Sequence, residues 1–480
     1  MISLILLLLP LIGSLLVLAG PKKHSVKLAL VPAFLQLILT GLAYCHYVTN
    51  GPEDFSIYVS WISSPNVHFN IGMDGVGFLM IALVNITIPF IILSAFNRDI
   101  KRANIYFSLI LFMQFALIGV FLAFDGLLYY VFWELTLIPA YFILMYWGGE
   151  NRAPITLKFF IYTLAGSLCM MLGFIYLYHA SGGGLSTASI YGLNIPADIQ
   201  CWLFAAFFLA FAIKVPIFPF HTWQSETYKT APSQGTMLLS ALMAKMGLFS
   251  IFRWLLPLFP NALADWGHWV MVLCIIGVLY GSIIAIRQKD LKRLFAYVSL
   301  AHMGLMAAGL FSQTTNGISG SLVQAFAHGI NTIGLFICAD IIHNRMGSDK
   351  LEKLGGIRQV APAFATVFLV IVLASIALPL TNSFVSELVL LSGIFEYSAW
   401  IGGFATLTIV LGAVYMLRMY KTAILGDVNE HTKNFKDLTT AEKWTLFPIV
   451  ALIIFFGFVY QPLFDLTKPA IDQMIQLIQH

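Results

Sequence analysis

Charged side chains are scarce in this sequence. Asp, Glu, Lys and Arg make up 10% of its 480 residues, whereas an ordinary soluble domain carries about 25%. This shortage excludes a set of soluble globular domains, and a formal net charge of only +4 gives no indication of nucleic-acid binding. No basic residue precedes the first apolar run. We therefore interpret the N-terminus as a first spanning helix and not as a cleaved secretory signal.

Cysteine is also rare, and its placement excludes two further classes of protein. The five cysteines lie in or beside apolar segments and show no metal-ligand spacing. We interpret all of them as core residues, which indicates neither a disulfide scaffold nor a cysteine metal site. These residues are Cys45, Cys169, Cys201, Cys274 and Cys338.

Apolar residues make up 59% of the chain, and its mean hydropathy is +0.87. About fourteen apolar runs have the roughly 20 residues needed to cross a hydrocarbon core of about 30 Å. The sequence therefore predicts an all-α polytopic membrane protein with about 14 transmembrane helices. The longest connection on the outer side, 48–73, predicts a short hairpin or an irregular cap. The runs lie near 1–18, 25–47, 75–96, 103–122, 124–147, 156–179, 198–220, 232–257, 266–286, 290–311, 318–344, 360–395, 399–424 and 443–463.

Basic residues are concentrated in alternate connections between these runs. The odd-numbered connections hold nearly all of them, with Arg253 and Lys468 as exceptions. Because short cytoplasmic connections are enriched in Lys and Arg, the odd connections are predicted to be cytoplasmic and both termini to lie outside.

One apolar run, 203–223, carries a lysine in its interior and two prolines directly after it. Lys214 would cost about 2.5–3.5 kcal/mol or more at membrane depth, so it is expected to face a partner or water. Pro216 and Pro219 remove backbone donors and predict a helix break. A broken membrane helix with a charge is how transporters build ion sites. The alternative is a kinked helix whose lysine reaches the interface.

Other ionisable residues also lie within predicted spans. A buried carboxylate or ammonium must pair or change its protonation state, so a row of such groups predicts a proton relay. Each histidine, taken alone, is also compatible with a hydrogen-bonded core residue. Lys158, near the start of its span, is equally compatible with a side chain reaching the membrane surface. The candidates are Glu134, Lys158, Lys245, His302, His328 and Glu387.

The positions of the breaks suggest an internal repeat. Spans four to eight contain the break at 214–219, and spans nine to thirteen contain a second at 379–387, after Pro379. Groups of five spans enter from opposite faces, which predicts two inverted five-helix repeats with an ion site at each break. The predicted divisions are residues 1–102, 103–257, 258–424 and 425–480.

Four motifs lie at 132–135, 158–162, 214–223 and 296–304. In that order they resemble the antiporter-like membrane subunits of respiratory complex I, and the resemblance extends over roughly residues 70–420. Within that family the chain is most similar to the subunit M branch. Glu387 stands where the sister subunits and the Mrp-type antiporter subunits usually have lysine. The chain also stops without the long lateral helix of subunit L, and the turn Met73-Asp74-Gly75 is typical. The motifs are Phe132-Trp133-Glu134-Leu135, Lys158-Phe159-Phe160-Ile161-Tyr162, Lys214-Val215-Pro216 with Phe220-His221-Thr222-Trp223, and Ala296-Tyr297-Val298-Ser299 with His302-Met303-Gly304.

This resemblance implies roles for the matching residues. Glu134 and Lys214 would form a coupling pair, and Glu387 would exchange protons with the outer side. Lys245, His302 and His328 would link them through a central axis, with Lys158, Glu226 and His221 as possible additions. The family works without its own redox cofactor, since quinone reduction elsewhere in the complex drives it.

The resemblance also implies surroundings for the chain. It would lie in the bacterial inner membrane beside L-type and N-type antiporter-like subunits. Its expected contacts are then the lipid bilayer, those subunits and protons, and no nucleic acid.

The sequence departs from the family pattern at two places. Ala377 and Leu380 replace the glycines that usually flank the proline of the second break. The stretch 224–228 replaces a common Leu-Pro-Asp-Ala-His and keeps only the acid, as Glu226. We expect Asn382 and Ser383 to satisfy the backbone groups freed at the second break.

Two alternatives remain at this point. One is a Mrp-type cation/proton antiporter subunit, against which the glutamate at position 387 counts. The other is a non-pumping scaffold subunit of a membrane hydrogenase-like complex, which predicts no continuous hydrated path.

Overall fold

The computed structural model describes residues 1–62, 67–96 and 98–479. Helices dominate it, as the apolar runs predict, and most of them are long enough to cross a membrane. The helices up to the first break are α1 Ile2–Ala19, α2 Ser25–Asn50, α3 Gly75–Leu93, α4 Ala103–Leu122, α5 Gly126–Leu135, α6 Leu137–Trp147, α7 Arg152–Ala180, α8 Thr187–Ile190 and α9 Ala197–Lys214.

After that break the chain continues through shorter pieces and then long helices again. These are α10 Gln224–Thr230, α11 Ser233–Met237, α12 Ala244–Ser250, α13 Pro260–Arg287, α14 Leu291–Phe311, α15 Thr315–Met346, α16 Ile357–Val360, α17 Pro362–Ser375, α18 Asn382–Tyr397, α19 Ala399–Ile424, α20 Thr440–Phe458 and α21 Gln461–Gln479. Short 3₁₀ turns occupy Lys22–His24, Glu53–Phe55 and Leu351–Lys353.

Thirteen helical segments in the described residues are long and apolar enough to span a membrane. Helix α17, with 14 residues, is a shorter apolar helix, and α18 continues after it. Counting that interrupted pair as one span agrees with the predicted total of about fourteen. The inverted relationship between the two groups of five spans stays a prediction.

Polar caps fix where several helices begin. The side chain of Asp74 accepts a hydrogen bond from Gly77 N at 2.8 Å and starts α3. Asp125 and Asp290 do the same for α5 and α14. Thr439 and Glu442 form a capping box at α20. These side chains satisfy backbone donors that have no partner within the first turn.

The connection 48–73 contains the predicted hairpin. Strands β1 Ile57–Ile62 and β2 Val67–Ile71 pair antiparallel, with Ile57 opposite Ile71. The end of the chain, in contrast, is not an unstructured tail. Helix α21 buries Thr467, Ile471 and Met474 on one face while its polar residues stay exposed, a pattern of i, i+4 and i+7 positions that packs against protein.

Contacts divide the chain into two compact units, described here separately. The first comprises Met1–Val215, Leu242–His268 and Asp465–His480, and the second comprises Pro216–Ala241 and Trp269–Phe464. The first contains the first helix break, at the end of α9, and α12. The second contains α13 from Trp269, α14, α15 and the interrupted pair α17 and α18.

Candidate functional site

The first break places a buried ammonium at the end of a helix. Lys214 is the last residue of α9, and its side chain is buried. Pro216 cannot donate a backbone hydrogen bond, and α9 ends two residues before it. In the described residues Lys214 Nζ has no hydrogen-bond partner, and it lies 5.2 Å from the centroid of the Trp133 ring. The aromatic face gives the ammonium a weak electrostatic partner, worth about 0.5–2 kcal/mol.

Glu134 lies in the same unit, at a second interruption. Helix α5 ends one residue after it, and Thr136 Oγ1 donates to Trp133 O at 2.7 Å where the chain restarts as α6. The carboxylate interacts with Tyr130 and Ser167 and, electrostatically, with Lys214. The structure therefore brings together the two residues that the resemblance pairs.

Lys245 occupies an irregular helix. It lies in α12, between π-helical segments at Leu238–Met243 and Ile251–Leu255, and it is fully buried. An added Cβ on Gly247 would lie 3.3 Å from Lys214 Cβ and 2.6 Å from a methyl group of Val215. The absence of a side chain at Gly247 therefore permits the close approach of α12 to the end of α9. π-helical turns occur often at functional sites, and the apolar pattern gave no indication of them.

The second break lies in the other unit, between Ser375 and Asn382. Ala377 and Leu380 adopt φ values of +52° and +74°. These are left-handed conformations that glycine accepts without steric cost, whereas other residues pay about 1–2 kcal/mol. The backbone of the break thus adopts the left-handed conformations typical of glycine, although neither residue is glycine.

The expected partners of the freed backbone groups were wrong. Asn331 Nδ2, from α15, donates to Ala374 O at 3.2 Å, near the end of α17. Asn382 Nδ2 instead donates to Ala327 O at 3.3 Å, and Ser383 Oγ accepts from Asn331 at 2.8 Å. Ala374 O also accepts from Ala377 N at 3.2 Å, so the Asn331 amide adds a second hydrogen bond to this carbonyl and ties α15 to the broken helix.

Glu387 lies in the second turn of α18 and is buried. Gln324 Nε2 donates to its Oε2 at 3.2 Å, and Gln324 Oε1 accepts from Ser386 at 2.6 Å. Gln324, His328 and Asn331 are spaced i, i+4 and i+7 along α15, so they share one face of that helix. Only His328 of this polar stripe was predicted as a site residue, although the helical spacing of all three is visible in the sequence.

The two histidines lie next to each other. Their ring centroids are 5.2 Å apart, His302 Nδ1 is 2.9 Å from Val298 O, and His328 Nδ1 is 3.2 Å from Thr332 Oγ1. A cavity of about 10 Å³ borders both rings and Asn331, close to the volume needed for one water molecule. His302, His328, Asn331 and Glu387 therefore belong to one polar region of α14, α15 and α18.

The three additional candidates lie elsewhere. Lys158 is exposed on α7, with Nζ 5.8 Å from the Tyr162 ring centroid, a position that suits a side chain reaching the membrane surface. Glu226 Oε1 accepts from Arg293 Nη2 at 2.6 Å in a partly exposed ion pair. His221 is buried and contacts Tyr280, with ring centroids 4.9 Å apart.

Two buried polar groups were not selected from the sequence. Arg253, an exception to the charge alternation, forms an ion pair with Asp74, and Tyr191 Oη donates to its backbone oxygen at 2.6 Å. Asp340 accepts a hydrogen bond from Ser233 Oγ at 2.5 Å. The Arg253–Asp74 and Ser233–Asp340 pairs each join residues that are more than 100 positions apart. Only Arg253, which departs from the charge alternation, was noticeable in the sequence.

No metal-binding arrangement of three or more His, Cys, Asp or Glu side chains occurs within residues 1–62, 67–96 and 98–479. The ionisable side chains of the site can carry out proton exchange. Lysine, glutamate and histidine side chains all bind and release protons, and each is held here beside amides, hydroxyls or an aromatic ring.

The fold and the site define a class: a multi-pass α-helical membrane protein with buried ionisable residues at two interrupted helices, the architecture that ion transporters use. The chain belongs to the family described as NADH:quinone oxidoreductase/Mrp antiporter, TM, whose model matches residues 123–412.

Named relatives and a solved structure agree with this membership. The chain is 35% identical to NADH-quinone oxidoreductase subunit M of Rickettsia prowazekii, with 97% of each chain covered. It is also 35% identical to F(420)H(2) dehydrogenase subunit M of Methanosarcina mazei, covering 92% of this chain and 90% of the relative. Respiratory complex I from Thermus thermophilus contains a chain of 29% identity and TM-score 0.93, with full coverage of both.

Proposed function

We propose that this chain is a proton-translocating membrane-arm subunit of an NADH:quinone oxidoreductase. It would hold no redox cofactor of its own and lie in the bacterial inner membrane with both termini outside. L-type and N-type antiporter-like subunits would be its neighbours. The relatives named subunit M and the match to a chain of complex I support this assignment.

The observation that carries the proposal is the environment of Lys214. Its ammonium is buried at a helix end, and in the part of the chain that the structure describes it has no hydrogen-bond partner. A buried charge in that position is costly unless a nearby charge supports it or the group releases its proton. Glu134 is the carboxylate that interacts with it. A change at Glu134 would therefore change the protonation of Lys214.

The second unit offers side chains for further transfer. The region from His302 to Glu387 contains histidine, asparagine and glutamine side chains and one small cavity. We propose that a proton moves along this region by exchange between histidines, water and the carboxylate. The order of transfer from Lys245 to His302 follows the family resemblance.

The chain is similar to subunits of two differently named complexes, and this similarity indicates where electron transfer would take place. Identity to both named relatives is 35%, so the chain resembles subunits of complexes with different electron donors equally well. A non-redox subunit explains this, because the donor would be oxidised elsewhere in the assembly.

The Lys214→Ala variant tests the proposal. Within the assembled complex in membrane vesicles, we expect proton pumping coupled to quinone reduction to fall severely, because the exchangeable charge is lost. The matched control is Lys468→Ala, which removes an exposed lysine from α21 of the same unit. Assembly is checked by native gel electrophoresis. Normal pumping by an assembled Lys214→Ala complex would refute the proposed role.

A further inference from the structure

A cavity of about 200 Å³ lies in the second unit, between α13, α14 and α19. It is beside the basic connection that joins Arg287 to Leu291. A water molecule occupies about 30 Å³ in the liquid, so several could fit. Six of its lining residues carry the argument: Gln288, Lys289, Glu352, Tyr415, Arg418 and Met419.

The mouth of the cavity is polar and its charges are mostly engaged. Lys289 Nζ donates to Glu352 Oε1 at 2.7 Å, and Arg418 Nη1 donates to Ile286 O at 2.9 Å. The charges of Lys289 and Glu352 cancel, so the Arg418 guanidinium leaves one net positive charge at the opening. This composition suits water and small ions.

Two neighbouring hydroxyls, those of Tyr415 and Ser282, lie at or near the cavity. Tyr415 lines the cavity but is only 1% exposed. Its Oη lies near Ser282 Oγ, yet in the described residues neither hydroxyl has a hydrogen bond of acceptable geometry. A buried hydroxyl without a partner costs about 1–3 kcal/mol. Such groups usually contact water, and the adjoining cavity can supply it.

The same phenol lies within electrostatic range of Glu387. Gln324 donates to Oε2 of that carboxylate, and Tyr415 belongs to α19, a different neighbour of α18. Tyr415 thus lines the cavity and also interacts electrostatically with the buried carboxylate. The family resemblance assigned Glu387 only an exchange with the outer side.

We propose that this cavity is a second aqueous entrance, through which Tyr415 passes protons between Glu387 and the side of the membrane that carries the basic connections. The inference rests on the proposed translocation function. In a transfer, the phenol oxygen accepts a proton from a cavity water while its own proton passes to the Glu387 carboxylate, directly or through one water. The ring ends neutral, the water becomes hydroxide that bulk solvent reprotonates, and the carboxylate becomes a carboxylic acid.

Cysteine labelling tests whether the entrance is aqueous and from which side. Tyr415→Cys and Met419→Cys are each introduced into the assembled complex in phosphatidylcholine vesicles. A charged, membrane-impermeant methanethiosulfonate is then added to one side at a time, and labelling of the native cysteines is subtracted. The control is Val414→Cys, whose position on α19 is 46% exposed at the protein surface.

We expect both cavity positions to be labelled from the side of the basic connections, and Val414→Cys to remain unlabelled. Absence of labelling at both cavity positions, or labelling only from the opposite side, would overturn the inference. So would labelling that disappears when phosphatidylglycerol is included, because the cavity would then hold a lipid headgroup instead of water.

Removing one hydroxyl tests the transfer itself. Tyr415→Phe should lower proton pumping by at least about threefold, because a proton-relay group is lost. Tyr420→Phe is the matched control, since Tyr420 lies on the same helix and its hydroxyl donates to Ala365 O at 2.9 Å, away from the cavity. Equal pumping by the two variants would refute the role of Tyr415.

The Lys214→Ala complex separates the two levels of inference. Impaired pumping there together with equal Tyr415→Phe and Tyr420→Phe activities would refute the entrance alone. Normal pumping by Lys214→Ala would refute translocation through this chain. The labelling result does not depend on pumping and would still report whether the cavity is aqueous.

Discussion

Gly247 sets how closely the helix that carries Lys245 approaches Lys214, and replacing it tests that packing. In Gly247→Ala the new Cβ would lie 2.6 Å from Val215 Cγ2, 3.1 Å from Val215 N and 3.3 Å from Lys214 Cβ. The shortest of these is about 0.8 Å below ordinary contact at 3.4 Å. The backbone of Val215 cannot move away freely, so α12 itself must shift.

Overpacking of this kind destabilises a protein by about 1–3 kcal/mol. If the whole effect lowers the barrier to unfolding, thermal inactivation of the assembled complex should become about 5- to 150-fold faster at a fixed temperature. We also expect weaker proton pumping, because displacement of reacting groups by about 1 Å can reduce a rate by about 100-fold.

Gly41→Ala is the control for this prediction. Gly41 lies within α2 of the same unit, and an added Cβ there meets no atom within 4 Å. Alanine favours the helix by up to about 1 kcal/mol, so the control should inactivate no faster than the parent complex. If Gly247→Ala behaves like Gly41→Ala in both assays, the close approach of α12 to Lys214 has no importance for stability or pumping.

Three other predictions follow from the same contacts. Glu134→Gln should impair coupled pumping strongly and Glu134→Asp much less, since only the aspartate keeps a negative charge; equal effects would indicate a structural role. Glu387→Lys should retain part of the pumping activity and Glu387→Ala should lose most of it, because only the lysine can still exchange protons. Burial raises the pKa of the Asp437 carboxyl, but N–H donors including Ala363 and Phe364 outweigh it and hold the pKa below its usual value. Asp437→Asn should therefore cost about 1–3 kcal/mol at neutral pH. The resulting difference in thermal inactivation should shrink as the pH falls through about 4, where the carboxyl of the unfolded chain becomes protonated, and disappear below the lowered pKa of the folded carboxyl.

The apolar runs predicted the helices well because bilayer thickness fixes their length. Backbone groups in hydrocarbon must be satisfied internally, which leaves few alternatives to a helix. The break after Lys214 was predictable because two closely spaced prolines, Pro216 and Pro219, remove backbone donors there. A single proline does not suffice, since Pro32 and Pro89 lie inside continuous helices. The pairing of β1 with β2 agrees with one of the two predictions for that connection, a short hairpin or an irregular cap, which rested on alternation at 56–61.

Features that depend on residues far apart in the sequence could not be predicted from local patterns. Arg253 pairs with Asp74, and the Asn331 amide donates to Ala374 O at the second break. Neither pairing leaves a local pattern, because each needs the tertiary arrangement of separate helices. The π-helical turns around Lys245 are similar, since they depend on the packing of that helix and not on its composition.

The left-handed residues of the second break show what the family pattern left open. The absence of glycine at positions 377 and 380 gave no geometry for the break, and both residues adopt positive φ. Gly457 helps to explain this, because an added Cβ there would lie 2.2 Å from Leu380 O. Helix α20 therefore packs directly against the backbone of the break and holds it in place, so the contact compensates for the conformational cost.

The polar stripe of α15 both supports the second break and lies along the proposed proton path. Asn331 donates to the broken helix and to Ser383, and it borders the small cavity beside the two histidines. Loss of its amide would remove two hydrogen bonds at the second break as well as interrupt a path, so reduced pumping in an Asn331 variant would not distinguish support from transfer. Lys214 is more informative, because no hydrogen bond in the described residues depends on its Nζ. A pumping defect there would report the charge itself.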